Sequence, residues 1–371
     1  MRINQIATHR NPHLDEYVGI YLLQRYGRQK YPGIENAKVV YYDAGRNSPD
    51  GTSAEEWEAR GVLAVGIWGG KFDEHANGDQ ARKLNECAAT LIAKDLGIAD
   101  RPELGRLLAF TKARDLGEET MLDGEKVEAG TFDLASLVKQ MHLAYPDHPE
   151  TVRSWVDAII RGYIKNQEGF FQLKEHYDRN KLVVQIPGPS NRVYTVVLIR
   201  SNNKQVLGYA RSKYGDKADI VVQQQTSGHI QILPNQSSGS SMRDTVHMVR
   251  IREMEAKELF GDLPWKDLSR EGVLEHSEEW YYQPNGGMLL NGSLTARNMP
   301  PTKLGLHDIL EILMVSLNPR VFDAQRQRWC QEGECSSTQR DPCPLYKVGL
   351  GRCHTVRTQQ RRAREAAAST S

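Results

Sequence analysis

The chain has 371 residues, enough for two or three domains, and its hydrophobic share of 39% supplies real cores. A net charge of +1 excludes a globally basic nucleic-acid binder, so any surface for a polyanion must be local. No apolar stretch reaches membrane-spanning length and Met1 leads directly into the first predicted strand, so a signal or transit peptide has no place and a cytoplasmic protein without a membrane partner is expected.

Taken in chain order, Ile3–Thr8, Ala37–Tyr42 and Val62–Ile67 read as strands, and Asp15–Tyr26, Ala54–Arg60 and Ala81–Leu96 as helices. This alternation predicts an α/β fold with a parallel sheet, whose ligands gather at the carboxyl ends of the strands. Leu104–Arg114, Phe132–Met141 and Val152–Ile164 carry apolar residues at helical spacing. Lys181–Ile186, Tyr194–Arg200, Gln205–Ala210, Ile220–Gln224 and Ile230–Leu233 read as strands, and Val246–Phe260 and Leu304–Leu317 as helices. The parse is an N-terminal domain over 1–130, a helical connector over 131–178, a smaller mixed α/β substrate-binding domain over 179–320, and a cysteine module with a basic tail over 321–371.

Chemistry concentrates at the predicted strand ends. His9, His13 and Asp15 follow the first strand within seven residues, at i, i+4 and i+6. Imidazole mixed with carboxylate suits Mn²⁺, Zn²⁺ or Fe²⁺ better than Mg²⁺ or Ca²⁺, which prefer oxygen shells. The competing reading is that Asp15 caps the next helix, which accounts for Asp15 but for neither histidine. Asp43 closes the second strand, and Gly69-Gly70-Lys71-Phe72-Asp73-Glu74-His75 follows the third.

His9-X-Asn11-Pro12-His13-X-Asp15 resembles motif I of the DHH phosphoesterase superfamily, usually His-X-Asn-Pro-Asp-X-Asp. Histidine at the middle ligand, followed by Asp15-Glu16, is similar to the melanocyte-proliferating-gene exonuclease branch. Residues 69–75 look like that family's Gly-Gly-X-aromatic-Asp turn and its Asp-His-His triplet compressed into one, and Asp115-Leu116-Gly117 like its fourth aspartate. The resemblance covers about residues 3–120. It implies a DHH-like domain holding Mn²⁺ or another divalent metal through His9, His13, Asp15, Asp73 and Asp115, with Glu74 as a further ligand. His75 is then a ligand or a contact to the scissile phosphate, and Arg10 and Lys71 neutralise phosphate oxygens or are solvated surface charges.

Two departures stand out. The family's metal-bridging aspartate falls where this chain has Gly66, Ile67 and Trp68, none a ligand, and Glu74 replaces the triplet's first histidine. Either Asp43 compensates, or the site holds one metal, or none that catalyses.

In the second domain Asn285-Gly286-Gly287-Met288, with Arg297 downstream, is either a substrate-binding turn whose backbone N–H groups hold an anion or a plain hairpin, the commoner use of Asn-Gly. Thr226-Ser227-Gly228-His229 is a weaker candidate of the same kind. Cys330, Cys335, Cys343 and Cys353 read as a Zn²⁺ knuckle or an iron–sulfur site, with disulfides as the alternative, and His354 can replace Cys353. Cys87 stands alone as a small core residue. Arg326, Arg328, Arg340, Lys347, Arg352, Arg357, Arg361, Arg362 and Arg364, interleaved with Trp329, Tyr346 and His354, suit single-stranded nucleic acid through phosphate contact and base stacking.

The expected function is a metal-dependent phosphodiesterase, a nuclease using metal-activated water on single-stranded or short nucleic acid. The alternatives are a catalytically degenerate phosphoesterase fold that binds nucleic acid through the Cys/Arg module, and a small-molecule phosphatase or pyrophosphatase. The residues do not specify oligomeric state.

Overall fold

The structure is a computed structural model. It describes residues 1–43, 47–75, 85–118, 120–122, 125–127, 132–188, 191–259, 267–292 and 298–317, and beyond these 325, 328–329, 332, 334–335, 337–338, 340, 343, 346 and 351–369. The chain is mixed α/β and divides into two units, Met1–Phe171 and Gln172–Ser371.

In the first unit, β1 (Gln5–His9), β2 (Lys38–Tyr42) and β3 (Val62–Ala64) form a parallel sheet in the order β2-β1-β3. Ile6 and Ala7 of the central strand are wholly buried, as a strand covered on both faces requires. β3 ends before the expected Ile67, because Gly66 turns into the left-handed region at φ +67° and Trp68 follows at φ +62°. The Trp68 ring then packs against Trp57 and Tyr42, with ring centres 4.9 and 5.0 Å away.

Helix α1 (Leu14–Tyr26) is buried from Leu14 through Leu23, so it runs through the core rather than over it. α2 (Ala54–Ala59) opens on a capping box between Ser53 and Glu56. α3 (Ala88–Asp95) is shorter than expected, and residues 76–84 lie outside the described part. α4 (Pro102–Leu116) starts with proline in its first turn and stops at left-handed Gly117. β4 (Thr120–Leu122) and β5 (Glu125–Val127) form a small hairpin.

α5 (Leu134–Ala144) and α6 (Pro149–Phe171) fall in the expected connector. Val138, Val152, Val156, Ile160 and Ile164 nevertheless join the first unit's core, so these helices belong to that unit. The reason is the four-residue spacing along α6, which makes one apolar stripe that must be covered.

The second unit begins with α7 (Leu173–Asn180). Its sheet comprises β6 (Lys181–Pro187), β7 (Val193–Arg200), β8 (Ile220–Gln224), β9 (Ile230–Pro234), β10 (Tyr281–Gln283) and β11 (Met288–Leu290), in the order β10-β11-β9-β8-β7-β6. Among the described residues only β7 and β8 of this sheet pair in parallel. Such a pair needs a crossover. The crossover is α8 (Val206–Arg211), where a strand was expected over Gln205–Ala210. Buried Val206, Tyr209 and Ala210 stand at i, i+3 and i+4, a helical spacing that so short a run hides.

α9 (Arg243–Ala256) packs against α10 (Leu306–Ser316), and both share a core with the sheet. α11 (Gly351–Ser369) forms the tail. This unit is the longer of the two, against the expected smaller C-terminal domain, because Cys343, Tyr346 and Cys353 of the tail pack against its core. Among the described residues no helix is long and apolar enough to cross a membrane.

Candidate metal centre

β1 is the middle strand, so its carboxyl end opens at the centre of the sheet edge, and His9 is its last residue. The chain turns through Asn11-Pro12, and His13 becomes the N-cap of α1 in extended conformation. The Glu16 carboxylate accepts the His13 backbone N–H at 2.6 Å through Oε2, closing the cap. Asp15 is therefore not the cap of its own helix. Its Oδ2 accepts the Ala88 N–H at 3.2 Å, at the start of α3. Tyr17 and His142 brace the loop from outside: the rings stack at 5.9 Å, and His142 Nε2 lies 3.0 Å from the Pro12 carbonyl oxygen.

The ligand atoms converge in three groups, in each of which they lie within 4.8 Å of one another: His9, His13 and Glu16; His13, Asp15 and Asp115; Asp73, Glu74 and His75. Asp115 stands in the last turn of α4, not beyond the helix as expected. Glu16 is a member that the sequence reading did not assign; its signal was a second acid directly after a ligand, one helical turn beyond His13.

Burial dominates the electrostatics. Asp15 and Glu16 are 1% exposed and Glu74 fully buried. Burial pushes Glu16 and Glu74 up to about 7 and lifts Asp15 well above the carboxylate range, with Glu16 adding to the shift of Asp15 and Asp15 to that of Glu74. Burial also lowers His9 and His13, keeping both imidazoles in the neutral form that binds metals. Cys87, fully buried at the start of α3, is pushed up to about 12 by burial and by Asp15, which makes it an inert core thiol.

Asp73 is held by ordinary hydrogen bonds. Its Oδ2 accepts the Gly69 N–H at 2.8 Å, and its Oδ1 lies 3.0 Å from both the backbone nitrogen and Nδ1 of His75. The His75 Nδ1 is also 3.2 Å from Glu74 Oε1. Asp43, expected to compensate for the absent strand carboxylate, takes no part in the three groups. It follows edge strand β2, its side chain is 85% exposed, and it pairs with Arg10 at 2.7 Å. Lys71 pairs with Glu58 at 2.6 Å and lies over the Tyr31 ring. Arg10 and Lys71 are thus engaged by surface acids rather than by the ligand groups.

The residues fit a divalent cation. Among the described residues no N–H or hydroxyl reaches Asp15 Oδ1 or Glu74 Oε2, although both atoms are buried, and the neighbouring Asp15 and Glu16 carboxyls hydrogen-bond each other. Buried carboxylates are ordinarily paired or coordinate metal. Imidazole nitrogens beside carboxylate oxygens favour Mn²⁺, Zn²⁺ or Fe²⁺.

In the second unit, Gly286 and Gly287 lie in the connection between β10 and β11, which pair as an antiparallel hairpin. Gly287 is left-handed at φ +60° and a Cβ there would press on Pro234 and Met242, so its glycine is explained by the turn alone. Arg297 lies outside the described residues. Asn291 is fully buried and its amide donates to the Glu279 and Pro300 carbonyls. His229 Nε2 is 2.8 Å from the Met299 carbonyl oxygen. Of the four cysteines expected to hold a metal, Cys330 lies outside the described residues; Cys343 is buried, Cys335 and Cys353 are half-buried, and these three join none of the convergent ligand groups among the described residues. In α11, Arg361, Arg362 and Arg364 are exposed, and Arg357 lies over the Tyr346 ring at 4.5 Å.

No protein-family model matches the chain, and no curated protein matches it. Among solved structures, an uncharacterized protein from Helicobacter pylori G27 is similar at 11% identity, over 67% of this chain and 88% of that one. Its TM-score of 0.23 is too low to carry an argument.

Proposed function

We propose that the protein is a divalent-metal-dependent phosphodiesterase with a DHH-like N-terminal domain, acting as a nuclease on single-stranded or short nucleic acid. One observation carries the reading: among the described residues Asp15 Oδ1 and Glu74 Oε2 are buried without an N–H or hydroxyl donor, in groups shared with His13, Asp115, Asp73 and His75. His9, His13, Asp15, Asp115, Asp73 and Glu74 would hold the cations. Bound there, such ions supply water of lowered pKa and neutralise charge on a phosphoryl group. Asp73 orients the exposed His75 through Nδ1, which leaves Nε2 as the atom His75 offers to a phosphate oxygen or a proton. The exposed arginines of α11 suit backbone phosphates, and the cysteine module would hold Zn²⁺ or an iron–sulfur cluster beside them.

A specific observation favours the second reading, a degenerate core that binds nucleic acid through its tail: both Asp73 oxygens are occupied by structural hydrogen bonds. Labelled oligonucleotides separate the two. The nuclease cleaves them with Mn²⁺, stops in chelator, and loses about 100-fold or more in Asp15→Ala, as removal of a direct ligand requires. Cleavage untouched by Asp15→Ala removes the nuclease reading. Oligonucleotide retained uncut, with zinc at the cysteines and no cation in the N-terminal centre, establishes the binder.

A further inference from the structure

Glu16 has an environment that helix capping alone does not explain. Gln or Glu at this position closes a capping box from the surface. Here the side chain is 1% exposed and its second oxygen, Oε1, lies 3.0 Å from His9 Nε2. Two ligands on adjacent vertices of an octahedral ion, each roughly 2.1 Å from it, are about 3 Å apart. His13 joins both within 4.8 Å.

The opposite wall is cut to receive this carboxylate. Gly66, the residue that ends the β3 segment, has φ +67°, and a Cβ built there meets Glu16 Cγ and Oε1 at 2.6 Å. A side chain at 66 and the carboxylate of Glu16 cannot occupy this space together. Residues 66–68 supply no ligand of their own, so the sheet edge takes its acid from α1. The adjoining group of His13, Asp15 and Asp115 shares His13 with this one, and its Asp15 Oδ1 is buried without an N–H or hydroxyl donor among the described residues, as an atom awaiting a cation is.

We infer that Glu16 is a direct metal ligand in this centre, binding one divalent cation together with His9 and His13, in the space that the left-handed Gly66 leaves open. This rests on the metal-centre reading above. The cation is hard enough for two carboxylate oxygens and soft enough for imidazole, which makes Mn²⁺ the probe of choice.

The test is Mn²⁺ titration of the full chain, followed by calorimetry and by the electron paramagnetic resonance of the bound ion. Glu16→Gln keeps one oxygen to accept the His13 N–H and turns its amide NH₂ towards His9 Nε2, so the cap survives while the charge and one metal-binding oxygen are lost. It should bind one Mn²⁺ fewer per chain, or bind it at least tenfold more weakly, with an altered spectrum. Gly66→Ala keeps the charge and crowds the carboxylate, and should show the same loss, although its φ of +67° strains any side chain at this position. Circular dichroism in chelator checks that each variant is folded. If Asp15→Asn abolishes binding while Glu16→Gln and Gly66→Ala stay within tenfold of wild type, this inference fails and the metal centre stands. If the wild-type chain binds no Mn²⁺ outside the cysteine module, both fail together.

Discussion

At pH 7.5, saturating Mn²⁺ raises the thermal midpoint of the metal-free protein by on the order of 10 °C. A ligand at a thousand times its Kd stabilises by about 4 kcal/mol, and a unit of this size shifts by roughly 2–4 °C for each kcal/mol. At pH 5.5 the shift shrinks sharply. Burial holds Glu16 and Glu74 at about 7, so the cation must displace their protons below that value and its affinity falls as pH drops. The metal-free protein behaves in the opposite sense. A carboxyl whose folded pKa is raised keeps a proton that the unfolded chain has already released, so stability is present at acid pH and lost as pH climbs towards the folded value. For Glu16 alone, moved from 4.5 to about 7, the loss is on the order of 3 kcal/mol. His9 and His13, lowered by burial, contribute stability that is lost as pH falls, and their effect is confined below 6.5. The interval from 6.5 to 7.5 therefore isolates the acids. Scanning calorimetry in chelator should show the midpoint falling across it; a rising midpoint contradicts the buried-acid centre.

Glu253→Ala destabilises the second unit by about 4 kcal/mol. The carboxylate is fully buried and accepts the Trp280 Nε1–H at 2.9 Å, the Lys303 backbone N–H at 2.8 Å and the Thr302 hydroxyl. Each donor orphaned in the core costs about 1–3 kcal/mol. Glu253→Gln costs less, because one amide oxygen still accepts. Arg250, in the same helix, works in the complementary direction: its guanidinium donates to the carbonyls of Leu268, Arg270 and Gly272. Together these side chains fasten residues 268–280 and 302–303 onto α9. Urea unfolding followed by far-ultraviolet circular dichroism measures the loss, and a change under about 1 kcal/mol refutes the bracing role.

The first sheet and the imidazole and carboxylate groups at its edge were legible because a parallel strand reads as a short apolar run, and its end marks where polar side chains collect. Ile6-Ala7-Thr8 followed by His9, His13 and Asp15 carries both signals in one stretch. Asp43 misled for a related reason. It also follows a strand, but its side chain turns out to solvent and pairs with Arg10, and the direction a side chain takes after a strand end is not written in local pattern. α8 was misread because six residues with one glycine satisfy strand and helix patterns equally.

The sequence by itself determined the α/β class, the parallel β1–β2–β3 strands, and His9, His13 and Asp15 as neighbours at a strand end, because each depends on residues a few positions apart. Tertiary structure alone decided that Asp115 and Glu74 face them, that Glu16 fills the space beside Gly66, that Asp43 pairs with Arg10, and that α5 and α6 complete the first core. Those contacts join residues tens of positions apart, and only packing sets which of many equally polar side chains ends up buried beside another.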